Sequence, residues 1–168
     1  MHPRIRYEAP GDAAAIDAVT RAAFQDAPHA SGTEQAIVAA LRAAEVLAVS
    51  LVAEAEGIVV GHVAASPVTI SDGTPDWYGI GPVSVHPSQQ RRGIGSRLVR
   101  HALDDLRLLG AGGCVVLGDP AYYARFGFRA DDALRLTGVT PRYFQAIAFC
   151  GRLPAGAVTF HVAFDASG

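Results

Sequence analysis

The sequence predicts a three-layer α/β domain (α+β in schemes that weigh antiparallel pairing) with a mixed central sheet. Strand-like and helix-like stretches alternate in the order βα, α, ββ, βα, βα, ββ. One short run, residues 113–118 (GCVVLG), is apolar throughout, which suits a strand in a sheet interior. Half of the 168 residues are hydrophobic, enough to bury a full core in a single domain spanning residues 1–168.

The elements follow in chain order. Residues 4–10 (RIRYEAP) read as a strand. Gly11 and Asp12 then open a helix, with Asp12 in the N-cap position and Ile16, Val19, Ala23 and Phe24 on one face. Residues 26–32 (DAPHASG) break that helix. A second helix runs from Thr33, as cap, to Ala44, with Ala36, Ile37, Ala40 and Leu41 as its apolar stripe. Residues 45–70 are β-rich, and Glu54–Ala55–Glu56–Gly57 marks a hairpin within them. A loop (71–77) leads to a strand at 78–85 (YGIGPVSV), which His86–Pro87 ends. From Ile94 to Leu109 apolar residues recur three or four apart, and Gly110 stops that helix. After the apolar strand, residues 119–128 (DPAYYARFGF) read as helical turns leading into a strand. Residues 141–149 and 157–164 alternate well enough to be two late strands.

Composition excludes several functions. A net charge of −2 argues against a nucleic-acid partner, which needs a basic face. The chain has no lysine, so neither a Walker A phosphate loop nor a Schiff-base lysine is available. Cys114 and Cys150 have no C-x-x-C spacing and no H-E-x-x-H occurs, so no metal site is expected, and both thiols are expected to be free and buried. There is no run of about 20 apolar residues and no signal-peptide pattern, which predicts a cytoplasmic protein with no membrane partner.

The chemistry centres on residues 85–98, VHPSQQRRGIGSRL. A strand, a glycine turn and a helix start make an anion site, because the first amides of a helix have no internal partner. Gly93, Ile94, Gly95 and Ser96 are placed to offer those amides, and Arg91 and Arg92 add charge at the rim. Taken alone, the pattern leaves phosphate binding and simple helix entry both open. A dinucleotide fingerprint would need a third glycine where Leu98 stands.

The same stretch resembles the acetyl-coenzyme A signature of the GNAT superfamily of N-acetyltransferases, Q/R-x-x-G-x-G/A. Gln90, Arg91, Arg92, Gly93, Ile94 and Gly95 match it in order. Residues 121–128 (AYYARFGF) resemble a second family motif, F-Y-x-x-x-G-F, with Tyr122 in place of Phe and with Tyr123, Gly127 and Phe128 matching. The opening IRYEAPGDAAAI is similar to the family's usual start, so the resemblance spans roughly residues 4–130. It implies the acyl-CoA N-acyltransferase fold, with a central sheet that splays where coenzyme A lies. It implies that Val83, Ser84 and Val85 offer main chain to the pantetheine arm and that the amides of Arg91 to Ser96 take the pyrophosphate. It further implies Tyr123 as general acid, acetyl-CoA as co-substrate and the homodimer as a common assembly. One position departs: where the family often has asparagine this chain has Val116, so Asp119 or the Gly118 backbone is the substitute pantetheine contact.

Acetyl transfer also needs an oxyanion donor, here expected from a backbone amide at a bulge near Val83–Val85, and a base. No acid stands in YGIGPVSV. The base candidates are Glu34, His62, Asp119 or a water chain. Each has a structural alternative: Glu34 as a first-turn carboxylate, His62 as a satisfied strand histidine, Asp119 as an N-cap. His86 reads as structural and Tyr122 as packing. Trp77 either lines an acceptor pocket with Asp76 or plugs the core edge. The expected reaction is direct transfer to a primary amine, most simply on a small molecule. Two alternatives stand beside it: a non-catalytic acyl-CoA sensor of the same fold, and a phosphate-ligand module outside the superfamily.

Overall fold

A computed structural model describes residues 2–28 and 30–167. Its strands are β1 (Arg4–Tyr7), β2 (Val49–Ala55), β3 (Ile58–Ile70), β4 (Trp77–Val85), β5 (Gly113–Leu117), β6 (Leu134–Arg135), β7 (Phe144–Ala148) and β8 (Gly156–Phe160). Its helices are α1 (Ala13–Phe24), α2 (Glu34–Ala43), α3 (Ile94–Leu108) and the short α4 (Pro120–Tyr123). The sheet order is β1-β2-β3-β4-β5-β7, and β8 pairs with the far end of β3 and with β6. β4 and β5 run parallel because α3 carries the chain across between them, while β1–β2, β2–β3, β3–β4 and β5–β7 are antiparallel.

The two faces of this sheet hold different layers. α3 buries Ile94, Leu98, Val99, Ala102, Leu103 and Leu106 against Leu51, Val63, Ala65, Ile80, Cys114 and Val116. That burial follows from the spacing of its apolar residues. α1 and α2 cover the opposite face, where Ile16 and Val38 pack on Val52. The hairpin between β2 and β3 turns at Glu56 and Gly57, with φ of 52° and 78°, the mirror-image turn that a tight hairpin requires.

Several local expectations are corrected. Asp12 does not cap α1; its carboxylate takes Arg6 at 2.7 Å and the Ala9 N–H at 2.7 Å. Thr33 makes no side-chain cap either, because Glu34 closes the turn before α2. The last strand stops at Phe160. Beyond it the alternation is broken, because the His161 side chain accepts the Ala163 N–H and starts a 3-10 turn over Val162–Asp165. Cys114 is buried but Cys150 is exposed, since it follows the end of β7. β6, only two residues long, is too short to carry a sequence period. Of the break between α1 and α2, His29 lies outside the described residues.

Candidate active site

β4 and β5 part company in mid-strand. Their register runs from Trp77↔Gly113 to Ile80↔Val116, while β4 continues to Val85. On the other edge of β4 the register jumps from Ala65↔Ile80 to Val63↔Val83, so Gly81 and Pro82 form a bulge opposite Ala64. The bulge therefore lies upstream of Val83–Val85, and Pro82 brings no N–H to it. Past the bulge, the His86 N–H donates to the Val60 carbonyl at 2.9 Å. Main-chain groups alternate along an antiparallel strand, so those of Val83 and Val85 point away from β3, toward the gap. The Gln90 side chain donates to the Val85 carbonyl at 3.0 Å. Ser84 faces the other way: its main chain lies toward β3, and its hydroxyl is buried 3.4 Å from that of Thr20 on α1.

The turn at the end of β4 shapes the start of α3. The His86 ring accepts the Ser88 N–H at 3.1 Å, which makes this histidine a structural cap. Gly93 adopts φ 81°, a conformation that β-branched residues resist. Arg97 is the first residue to bond back, to the Gly93 carbonyl at 3.1 Å, which leaves the amides of Ile94, Gly95 and Ser96 without a helical acceptor. Gly95 leaves room for Tyr122: a Cβ there would lie 3.1 Å from the Tyr122 hydroxyl, a tight contact that the phenol would have to relieve. Arg91 and Arg92 are both exposed beside these amides. Tyr122 is more than packing, because its hydroxyl comes within 3.3 Å of Ser96 Oγ and so reaches the helix start.

Tyr123 sits on α4 under the end of β5. Its ring packs against Phe126 and Phe128, and burial, followed by the neighbouring Tyr122 and Cys114, pushes its phenol well up. Gly118 makes room for it, since a Cβ there would lie 2.6 Å from the Tyr123 ring. Asp119 is exposed and caps α4, accepting the Ala121 N–H at 3.0 Å. Gln145 was missed by sequence reading. It stands opposite Val116 in the β5–β7 register, is 2% exposed, and donates to the Gly118 carbonyl at 3.1 Å. A polar residue inside an otherwise alternating strand was the available signal.

On the α1/α2 side, the Glu34 carboxylate accepts from the Ser31 N–H at 2.9 Å, Ser31 Oγ at 2.9 Å and the Gly32 N–H at 3.1 Å. Burial pushes Glu34 up, but these bonds outweigh it and hold the carboxyl below its ordinary value. A cavity of about 450 Å³ opens here, lined in part by Arg21, Phe24, Gln25, Glu34 and Gln35. Trp77 does not line it: the indole is 3% exposed and fills the space over Gly112 and Gly113, so it plugs the core edge. Among the described residues no cluster of three metal-ligating side chains occurs, and no helix is long and apolar enough to cross a membrane.

The model of the Acetyltransferase (GNAT) family matches residues 15–128. This chain belongs to the GNAT family. The N-acetyltransferase YhbS of Escherichia coli K12 is 41% identical over 125 residues, covering 74% of this chain and 72% of that one. A GNAT acetyltransferase from Brucella melitensis, solved with acetyl-CoA, superposes with a TM-score of 0.87 at 50% identity, covering 98% of this chain and 99% of that one. The solved E. coli YhbS, in complex with CoA, superposes with a TM-score of 0.90 at 35% identity, covering all of this chain and 94% of that one. The GNAT fold, expected from two short motifs, thus extends through residues 131–168, where no motif was readable.

Proposed function

We propose that this GNAT chain moves an acetyl group from acetyl-CoA to a primary amine on a small molecule, by direct transfer in a ternary complex. The observation that carries this reading is the coincidence of three features. The main chain of Val83 and Val85 lines the gap between β4 and β5, the amides of Ile94, Gly95 and Ser96 lack helical acceptors, and Tyr123 stands at the end of β5. Pantetheine pairs with β4 as an added strand, and the pyrophosphate takes the α3 amides with Arg91 and Arg92 at its rim. Gln90 fixes the Val85 end of that edge. The solved Brucella melitensis relative with acetyl-CoA supports the same ligand here.

The amine nitrogen attacks the thioester carbonyl carbon, the C–N bond forms and the C–S bond breaks. The departing sulfur takes the Tyr123 phenolic proton, and the proton that the amine nitrogen loses passes through solvent and restores the phenol. Because burial holds that phenol above its ordinary value, it stays protonated through neutral pH and is available to donate. A covalent acetyl-cysteine is disfavoured: Cys114 faces the α3 core with its thiol pushed up by burial, and Cys150 lies past the end of β7, outside both motifs. Glu34 is a poor base, since its carboxylate is engaged with its own loop. Asp119 serves α4 as its cap. The cavity between α1 and α2 is of the size that receives small ligands, which favours a small acceptor over a protein chain.

Thiol release from acetyl-CoA, followed with a panel of small primary amines, tests the reading. Amine-dependent release is the expected result. Tight coenzyme binding with silence toward every amine would replace the enzyme with a sensor.

A further inference from the structure

β7 carries a buried amide at the point where β5 turns into α4. The β5–β7 ladder ends at Leu117↔Phe144, so Gly118 next faces Tyr143. A hydrogen-bonded pair of an antiparallel ladder exchanges two bonds, N–H to carbonyl in each direction. Here only one forms. The Gly118 N–H donates to the Tyr143 carbonyl at 2.9 Å, while the Tyr143 N–H turns away to the Thr140 carbonyl at 3.0 Å. The Gly118 carbonyl thus lacks its ladder donor, and the Gln145 side chain supplies one: Nε2 donates to it at 3.1 Å, with a longer contact of 3.5 Å to the Tyr143 carbonyl. Gln145 is 2% exposed and stands opposite Val116, so its side chain lies on the α3 face as that of Val116 does.

What rests on Gly118 is Tyr123. A Cβ at position 118 would lie 2.6 Å from the edge of that ring, so the ring lies directly on the glycine backbone. α4 does not hold the tyrosine unaided. It has four residues, too few for a helix to stand alone, and it hangs from Asp119, the residue after Gly118, whose carbonyl takes the Tyr123 N–H at 3.1 Å. The ring's contacts with Phe126 and Phe128 are apolar packing. Burying an amide costs free energy unless its bonds are made. The rest of β7, Phe144, Ala146, Ile147 and Ala148, is apolar, and an apolar side chain would fill the same space. The distinctive contribution of the amide is its hold on Gly118.

We propose that Gln145 is a positioning residue for Tyr123. By holding the Gly118 carbonyl to β7 it fixes the surface on which the phenol ring lies, and with it the direction in which the phenolic proton is delivered to the departing sulfur. Gln145 takes no part in the proton transfer itself, and its role rests on the acetyltransferase reading with Tyr123 as the acid. A donor moved by a fraction of an ångström loses rate without loss of ligand binding. In that reading the coenzyme is gripped elsewhere, by the β4 edge and the α3 amides, so rate and affinity should separate.

Gln145→Met keeps length and bulk and removes the donor. It is expected to lower kcat about 10-fold while acetyl-CoA affinity stays within about twofold. Tyr123→Phe has no phenolic proton left to misplace, so adding Gln145→Met to it is expected to change kcat by less than about twofold. Gly118→Ala disturbs the same bed from the other side of the bond. It is expected to repeat both results and stands in should Gln145→Met fail to fold. Carbon-13 spectra of ring-labelled tyrosine, with Tyr123→Phe identifying the signal, are expected to show the Tyr123 resonance displaced in folded Gln145→Met, independent of any activity. An equal loss of kcat with and without the Tyr123 hydroxyl would overturn the proposal and leave acetyl transfer standing. So would an unmoved Tyr123 signal, or kcat within about twofold of wild type in a folded Gln145→Met protein. Full activity of Tyr123→Phe, or failure of the wild type to release thiol with any amine, would instead remove the acid or the enzyme reading, and the role of Gln145 with it.

Discussion

The two faces of the central sheet are built of different materials. The α3 face is apolar from Leu51 to Val116, with Gln145 as its buried polar exception, and its helix begins in the unbonded amides of Ile94, Gly95 and Ser96. The α1/α2 face buries Thr20, Gln35, His62, Ser66 and Ser84. One face backs the β4 main-chain edge and the start of α3 with hydrophobic packing. The other keeps polar side chains out of water. Strong packing positions a backbone edge without chemical groups of its own, whereas buried polar atoms come at a cost in stability.

Perturbing each face in turn sharpens the contrast. Leu98→Ala on α3 removes a fully buried side chain and is expected to cost about 3 kcal/mol, by the usual cavity and transfer terms, at every pH. Denaturant titration at two pH values checks this. The opposite face is expected to respond to pH. Burial lowers the His62 pKa from 6.5 to about 4, with the Glu8 charge opposing and the Arg42 charge assisting. Between those values the unfolded chain binds the extra proton, so stability is full above pH 6.5 and is lost as pH falls toward 4. That loss is about 3 kcal/mol, and His62→Gln is expected to flatten it in melting curves taken across the window. A wild-type slope identical to that of His62→Gln would erase the distinction between the faces.

Tyr123→Phe, at the end of β5 where the strands part, is expected to lower kcat about 100-fold with acetyl-CoA affinity unchanged. Because burial raises this phenol, wild-type kcat is expected to show no loss through its titration at or below pH 10. Steady-state kinetics from pH 6 to pH 10 would expose a contrary basic limb. The smallest effect belongs to the exposed rim. Arg92→Ala is expected to weaken coenzyme binding by about threefold at low salt, and the difference fades as salt screens it.

Legibility divided along the same line. The α3 face could be read because Gly93, Gly95 and the apolar repeat of α3 each answer a local requirement: a left-handed turn, space beside Tyr122, a helical stripe. Tyr123 was legible through its motif. The α1/α2 face was not. His62 and Ser84 stand opposite each other only through strand register, and Ser50, itself bonded to Glu8, reaches His62 from another strand. No local spacing encodes those contacts. Gln145 was hidden for the same reason, since its partner Gly118 lies 27 positions away. The displaced caps at Asp12 and Thr33 show a further limit: a residue suited to capping was drawn off by Arg6 in one case and displaced by Glu34 in the other.

The central claim is that a main-chain edge on β4 and the bare amides of α3 together hold acetyl-CoA. Calorimetric titration of acetyl-CoA, ATP and NAD into the wild-type protein and into Gly93→Val tests it most directly. Acetyl-CoA is expected to bind the wild type more tightly than either nucleotide, and Gly93→Val to weaken it about 100-fold by straining the turn and tilting its amides. Equal affinity for all three ligands, or undiminished acetyl-CoA binding by a folded Gly93→Val protein, would contradict the account.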